Sequence, residues 1–171
     1  MNNIILIGFM GSGKTTIGKI LANDLSLEYF DIDEFIEENT KMSIPEIFKK
    51  AGESWFRDQE SFALSCLTDG SNRLIATGGG IVEREDNLEV LKNGGTVVYL
   101  KASPDKLWTR AGKDPNRPLS TDLASFRKLF DRRRSRYEAA ADIVIDTGSL
   151  SVERTVEAVK KALEELKSTE D

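Results

Sequence analysis

Short runs of apolar residues alternate along the chain with longer stretches in which apolar residues recur every three or four positions. A short continuous apolar run is typical of a strand buried on both faces, and the longer spacing is typical of a helix with one buried face. The pattern predicts five strands: Asn3–Gly8, Glu28–Asp31, Arg73–Thr77, Thr96–Lys101 and Asp142–Asp146. This alternation favours an α/β fold with a mostly parallel sheet and helices on both faces.

The helical pattern occurs between and after these strands. It predicts helices over Lys14–Leu25, Ile32–Asn39, Ile44–Ala51, Glu53–Thr68, Asp86–Asn93, Pro104–Ala111, Leu123–Ala140 and Ser151–Glu165. The segment 112–122 has two prolines and several polar residues, so we expect an exposed loop that is a candidate lid. A chain of 171 residues is the right size for one domain, and residues 1–171 are expected to form it.

Composition removes several classes of function. The net charge of 24 − 29 = −5 argues against a general nucleic-acid binder. The chain has no histidine, so general-base chemistry falls to a carboxylate, and metal binding falls to carboxylate and hydroxyl oxygens. The single cysteine, Cys66, is expected to be buried among apolar neighbours.

The sequence predicts a cytoplasmic location without membrane association. No apolar run approaches the ~18 residues of a membrane span, and the start of the chain does not resemble a signal peptide. No partner protein is implied, and we expect a monomer.

A phosphate-binding loop follows the first predicted strand. Gly8–Thr15 fits the pattern G-x-x-x-x-G-K-[ST], in which glycines let backbone amides surround phosphate oxygens. Lys14 would contact the β- and γ-phosphates, and the Thr15 hydroxyl can bind Mg²⁺. The loop precedes a predicted helix, whose amino end favours an anion, so the motif predicts an ATP site rather than a simple glycine turn.

This loop occurs in kinases, GTPases and motor ATPases. The chain has no N-K-x-D sequence for guanine and no D-x-x-G switch, and it is too small to be a large ATPase, which favours a small-molecule kinase. Asp31 and Asp33, at the end of the second strand, would face one side of it. They either serve Mg²⁺ and an acceptor hydroxyl or begin a helix, where acidic residues are favourable.

Glycines and arginines complete the candidate site. Thr77–Gly80 ends the third strand and is either a flexible turn or a close approach to a ligand. On the helix Leu123–Ala140, Arg133 lies on the same apolar stripe as two phenylalanines and Tyr137, so it needs an anionic partner. That partner is either a protein carboxylate or a ligand.

Two further arginines have open interpretations. Arg57 and Glu60 lie three residues apart on a predicted helix, and that spacing alone favours a surface ion pair. Arg117, in the candidate lid, either closes on phosphates or is a solvated loop residue.

From Ile4 to Asp146 the chain resembles the shikimate kinase family. The matching segments, besides the phosphate loop, are Asp31–Asp33, Met42–Phe48, Gly52–Glu53, Phe56–Arg57 with Glu60, Gly78–Gly80, Arg110, Arg117–Leu119, and Arg133 with Tyr137. The chain departs from the family's usual residues at Thr77, at Ser120, at Arg136, which replaces an apolar residue, and over Gly148–Ser151, which lacks the basic or proline residues that often flank adenine.

The resemblance implies a P-loop NTPase, nucleoside-monophosphate-kinase-like fold, with strand order 2-3-1-4-5 and a lid. It implies transfer of the ATP γ-phosphate to the 3-hydroxyl of shikimate, in aromatic amino-acid biosynthesis. It implies nucleotide contacts from Gly11, Ser12, Gly13, Lys14, Thr15, Thr16, Arg110 and Arg117, and a Mg²⁺ ion held by Thr15 and by Asp31 through water. It implies substrate contacts from Asp33, Arg57, Gly79, Gly80 and Arg133, with Lys14, Asp33 and Arg117 as the catalytic residues.

Other interpretations of the same residues exist. Phe48 and Phe56 are either walls of a ring pocket or helix-core residues. A kinase acting on another small polyol, such as gluconate, would also need arginines for a carboxylate. A non-catalytic nucleotide-binding module is the second alternative, although so many charged candidates at one crevice disfavour it.

Overall fold

The computed structural model describes residues 2–111 and 122–170. Strands β1 (Ile4–Ile7), β2 (Glu28–Asp31), β3 (Arg73–Ala76), β4 (Thr96–Lys101) and β5 (Ile143–Asp146) form one sheet. Neighbouring strands are parallel and the order is β2-β3-β1-β4-β5. The predicted fold class and strand order are therefore confirmed.

The helices lie close to their predicted positions. They are α1 (Lys14–Asp24), α2 (Ile32–Thr40), α3 (Ile44–Lys50), α4 (Gly52–Thr68), α5 (Glu85–Gly94), α6 (Pro104–Ala111), α7 (Leu123–Ala140) and α8 (Val152–Glu170). A 3₁₀ helix over Gly79–Glu83, which the sequence did not predict, follows β3. The candidate lid, 112–122, lies outside the described residues except for Asp122.

The central strand β1 is apolar throughout because both faces of the sheet are covered there. Ile4 and Leu6 of β1 pack in a cluster with residues of α1 and α8, whereas Ile5 and Ile7 pack in a cluster with residues of α4, α5 and α7. All four side chains of β1 are at most 4% exposed. Alternate residues of a strand point to opposite faces, so a doubly covered strand needs a continuous apolar run.

The parallel arrangement brings the predicted site residues to one edge of the sheet. Ala76, at the end of β3, pairs with Leu6 on one side and with Asp31 on the other. Thr77 continues the pairing of β3 with β1, because its backbone N–H and its hydroxyl both donate hydrogen bonds to the Leu6 carbonyl. The phosphate loop, Asp31 and the glycine segment therefore all begin at this edge.

The expectation for Cys66 was wrong, since this side chain is exposed on α4. It lies one turn after Phe62, which is itself 59% exposed, so both belong to the outer face of the helix. In the described part of the chain, no helix combines the length and the apolar character needed to cross a membrane.

Candidate active site

The phosphate loop connects β1 to α1. Gly13 has a φ of 90°, a left-handed conformation that side-chain-bearing residues rarely adopt, and α1 begins directly after it. The ammonium group of Lys14 donates hydrogen bonds to the carbonyls of Gly8, at 2.6 Å, and Phe9, at 3.2 Å. Lys14 therefore lies across the concave side of the loop, where phosphates bind in this motif.

Asp31 begins a helix, one of the two roles that its position at the end of β2 suggested, and its second oxygen faces the phosphate loop. Its Oδ1 atom accepts hydrogen bonds from the backbone amides of Asp33, at 2.9 Å, and Glu34, at 3.3 Å, and so caps α2. Its Oδ2 atom faces the phosphate loop and accepts from the Thr15 hydroxyl at 3.3 Å and from Tyr29 at 3.4 Å. Thr15 and Asp31 thus place two hard oxygen donors side by side, the type of ligand that Mg²⁺ prefers.

Asp33 lies one residue into α2 and faces the same crevice. Its Oδ1 atom is buried and has no hydrogen-bond partner among the described residues. Burial raises the pKa of this carboxyl to about 7, and the nearby charges of Asp31 and Glu60 act in the same direction. A carboxylate with an unused oxygen and a pKa near neutrality suits contact with an acceptor hydroxyl.

Arg57 and Glu60 form a buried ion pair, not the surface pair that their spacing suggested. The Arg57 side chain is 9% exposed and the Glu60 side chain 1%, and Arg57 Nη1 donates to Glu60 Oε1. The Arg57 Nε and Glu60 Oε2 atoms are buried without hydrogen-bond partners in the described part of the chain. Burial raises the pKa of Glu60, although the Arg57 charge opposes that rise. The pair therefore keeps polar atoms available for a ligand.

Each of the three glycines after β3 lies against at least one charged side chain. A Cβ atom added to Gly78 would lie 2.9 Å from Glu60 Oε2 and 3.2 Å from Asp33 Oδ1. One added to Gly80 would overlap the Arg57 guanidinium, and one added to Gly79 would lie 3.3 Å from Nη1 of Arg133. The glycine run thus permits close approach of charged side chains, and Gly79–Glu83 is an ordered 3₁₀ helix rather than a flexible turn.

Arg133 projects from α7 towards Gly79 and is 2% exposed. Its Nε atom donates to Oε1 of Glu83 at 2.6 Å, so one partner is a protein carboxylate. Its Nη2 atom is buried without a hydrogen-bond partner among the described residues. A protein carboxylate and a ligand can therefore both be partners of Arg133, because the side chain has a protein partner and a spare donor. Glu83 was missed because nothing in the sequence separates it from the other acidic residues.

The remaining candidates differ in position. Phe56 is buried and its ring lies 4.9 Å from that of Phe48, and both belong to the larger apolar cluster. Arg110 is exposed on the last turn of α6, while Arg117 lies outside the described residues. A cleft of about 310 Å³ is lined by Lys14, Thr15, Asp31, Asp33, Gly78 and Gly79 together with neighbours from α2 and α3.

Known proteins with similar sequences are kinases. The shikimate kinase family model matches residues 10–164. Shikimate kinase of Burkholderia lata is 44% identical over 165 residues, which cover 95% of this chain and 90% of that protein. The chain belongs to the shikimate kinase family. The shikimate kinase of Thermodesulfovibrio yellowstonii is 42% identical and covers 97% of both chains.

Solved structures of the family agree. Shikimate kinase from Acinetobacter baumannii, in complex with shikimate, has a TM-score of 0.94 and 36% identity and covers 98% of this chain and 95% of its own. A gluconokinase from Sinorhizobium meliloti covers 99% of this chain and 98% of its own, but its TM-score is 0.63 and its identity 15%, so it shares the fold alone. Membership of the shikimate kinase family identifies the chain as an ATP-dependent kinase.

Proposed function

We propose that the groups around Gly78–Gly80 carry out the shikimate kinase reaction in this chain. The reaction transfers the γ-phosphate of ATP to the 3-hydroxyl of shikimate and gives 3-phosphoshikimate and ADP. The observation that carries the proposal is the convergence of unused polar atoms on Asp33, Arg57 and Arg133 beside the phosphate loop. Buried polar atoms usually have partners, so such a group in one crevice points to a polar ligand.

The nucleotide site is proposed at the phosphate loop. Backbone amides from Gly11 to Thr16 would surround the β- and γ-phosphates, with Lys14 as the point charge. Arg110 is proposed to lie against the adenine and Arg117 to reach the transferred phosphate. Mg²⁺ would be held by Thr15 and, through water, by Asp31. The Thr15 hydroxyl oxygen and Asp31 Oδ2 lie 3.3 Å apart. When bound, the ion would neutralise phosphate charge.

The acceptor site is proposed between α2, α4 and α7. A guanidinium offers a planar fork of donors that matches a carboxylate, so Arg57 and Arg133 would bind the carboxylate of shikimate. The backbone of Gly79 and Gly80 would approach the ring closely because neither residue has a side chain. Asp33 would then accept hydrogen bonds from the ring hydroxyls.

The chemical step is proposed to be direct and in line. The acceptor oxygen forms a bond to the γ-phosphorus as the bond from that phosphorus to the β,γ-bridging oxygen breaks, and ADP leaves. The hydroxyl proton passes to Asp33, whose pKa of about 7 allows it to accept and later release a proton near neutrality. Lys14 and Arg117 stabilise the charge that develops on the moving group.

The direct test is ADP release from MgATP by the purified protein, with shikimate or gluconate as acceptor. We expect release that depends on shikimate, together with a product whose mass is that of phosphoshikimate. Release with gluconate alone would move the acceptor to another hydroxylated acid. Turnover with neither acceptor, in folded protein that binds ATP, would contradict the proposal and support the non-catalytic alternative.

We also propose that the enzyme acts in the cytoplasm, the location that its sequence predicts. A monomer is proposed because the sequence implies no partner protein.

A further inference from the structure

The orientation of the Arg133 guanidinium is set by one acidic residue. Glu83 Oε1 accepts a hydrogen bond from Arg133 Nε at 2.6 Å. This contact occupies the Nε edge of the guanidinium and leaves the Nη2 atom, which has no partner among residues 2–111 and 122–170. Because Arg133 is 2% exposed, water does not compete for its Nε–H, and the contact with Glu83 sets the orientation of the guanidinium.

Glu83 is well suited to this role because it stays ionised. Partial burial raises the pKa of its carboxyl, but hydrogen bonds from Arg132 and Arg133 outweigh that effect and lower the pKa to about 2. Arg132 Nη2 donates to the same Oε1 atom at 2.8 Å from a largely exposed position. Glu83 therefore presents a permanent negative charge to the buried Nε–H of Arg133.

The backbone that carries Glu83 is also attached to α7. Arg136 Nη1 donates to the carbonyls of Val82, at 3.0 Å, and Glu83, at 2.9 Å. At the other end of the 3₁₀ helix, the Tyr137 hydroxyl donates to the carbonyl of Gly79. The 3₁₀ helix is thus held at both ends by the helix that carries Arg133, which fixes Glu83 relative to the guanidinium.

We propose that Glu83 is a positioning residue, which turns Arg133 so that its Nη2 atom faces the carboxylate of the acceptor. The inference rests on the proposed binding of that carboxylate by Arg133. Glu83 would not touch the substrate. Without it, the guanidinium would be free to turn its Nε edge or to withdraw, and the carboxylate would lose one prealigned donor.

Steady-state kinetics of Glu83→Ala and Glu83→Gln test the proposal. The KM for shikimate should rise about 10-fold in Glu83→Ala, since a lost hydrogen bond to a charged group typically has an effect of at least this size. Glu83→Gln keeps an acceptor oxygen but loses the charge, so a smaller rise is expected. The kcat and the KM for ATP should stay within about twofold, because the nucleotide site is not involved.

Glu85→Gln is the matched control. Glu85 is two residues away, is 84% exposed and lies 4.0 Å from Arg136, so its KM for shikimate should equal that of the parent. The thermal midpoint of each variant separates positioning from general loosening. A Glu83→Ala variant that unfolds more easily yet keeps the parent KM would overturn the proposal.

A double-variant cycle separates this inference from the proposed function. Arg133→Lys should raise the KM for shikimate, and Glu83→Gln should add little in that background, because the group that it positions is gone. If Arg133→Lys leaves the KM unchanged, the proposed role of Arg133 fails. If Arg133→Lys raises the KM and Glu83→Gln adds its full effect independently, Arg133 keeps its role and the positioning by Glu83 is refuted.

Discussion

At the scale of single residues, Asp33 carries two conflicting demands. As the proposed base, its carboxyl must be ionised to accept a proton from the acceptor, but its surroundings favour the protonated form. Burial, with the charges of Asp31 and Glu60, raises its pKa to about 7. Proton affinity useful to catalysis is thus obtained at the expense of folding stability.

The first prediction concerns the pH dependence of turnover. Asp33 should be ionised above pH 7 and protonated below it, so kcat/KM should rise through about pH 7 as the pH increases. Asp33→Asn should reduce kcat by about 10²–10⁴-fold, the usual contribution of a general base. A pH–rate profile of both proteins is the measurement. Full turnover by Asp33→Asn would exclude Asp33 as base and weaken its orienting role.

The second prediction concerns the stability of the same variant. Folding raises the pKa of Asp33 from 3.8 to about 7, so between these values the folded state holds a proton that the unfolded state has lost. The free energy of unfolding therefore falls as the pH rises from about 4 to 7, and an asparagine at this position, which does not titrate, would not contribute this loss. The advantage of Asp33→Asn over the parent should grow by about 2.7 kcal/mol between pH 5 and pH 8.

Urea unfolding at the two pH values measures this difference. An advantage that is the same at pH 5 and pH 8 would show that Asp33 titrates at its ordinary pKa. The parent without ligands is the reference, because bound ATP would add its own stabilisation.

The third prediction concerns Gly80. A methyl group there would overlap the Arg57 guanidinium, which Glu60 holds in place, so Gly80→Ala should displace Arg57. We expect kcat/KM for shikimate to fall about 100-fold, as small displacements of positioning groups can cause. Gly148→Ala is the control, since Gly148 lies outside the proposed acceptor site and its methyl group would lie 3.1 Å from an oxygen of Asp146. Equal effects of the two variants would contradict this account.

The sequence located most of these side chains but not their partners. Asp31, Asp33 and Arg133 stand at a strand end or on an apolar stripe, so local patterns select them. The spacing of Arg57 suggested only a surface ion pair, and the family resemblance gave it a place in the site. Glu83 has no such pattern, because its role depends on the packing of α7 against a segment 50 residues earlier. Cys66 was misplaced since its neighbours in sequence are apolar, whereas its helix turns it outwards beside Phe62.

At the scale of elements, the amino end of α3 is stabilised by a capping box. Ser43 accepts a hydrogen bond from the Glu46 amide, and the Glu46 carboxylate accepts one from the Ser43 amide, both at 3.3 Å. Pro45 lies in the first turn, where a missing N–H has no cost. These residues satisfy amide groups that would otherwise lack partners in a helix of seven residues.

The fourth prediction follows from this capping box. Ser43→Ala should lower the free energy of unfolding by about 1 kcal/mol, the usual effect of losing such a cap. Ser65→Ala is the matched control, because Ser65 is an exposed residue inside α4, where alanine is the better helix former. Chemical denaturation of both variants gives the comparison. A Ser43→Ala protein as stable as the parent would mean that α3 is held by packing alone.

The α-helices and strands were predicted close to their observed bounds because most of the helices are long and most of the strands are strongly apolar. The 3₁₀ helix was not, since Gly79 and Gly80 have no side chains whose spacing could indicate a helix. It is stabilised by Tyr137 and Arg136 from α7 instead. Tertiary contacts, not local preference, therefore determine the conformation of this segment.

At the scale of the whole molecule, the proposed acceptor site joins three helices around one edge of the sheet. A ligand that binds only the folded state raises its stability, by about 2.7 kcal/mol at 100 times its dissociation constant. The fifth prediction is that saturating shikimate raises the thermal midpoint and that gluconate does not. Arg57→Ala should abolish the shift, because that arginine is one of the proposed carboxylate ligands. An equal shift with gluconate would contradict the assigned specificity.

The central place of β1 has a consequence for how the chain folds as it is made. β1 comprises residues 4–7, but its two neighbours in the sheet are residues 73–76 and 96–101. During synthesis β1 therefore emerges from the ribosome before either of its partners in the sheet. The sheet can close on both sides of β1 only after residue 101 has emerged, so Ile4–Ile7 stays available for mistaken association until then. Chaperones that bind short aliphatic segments therefore have a natural target in this strand of the nascent chain.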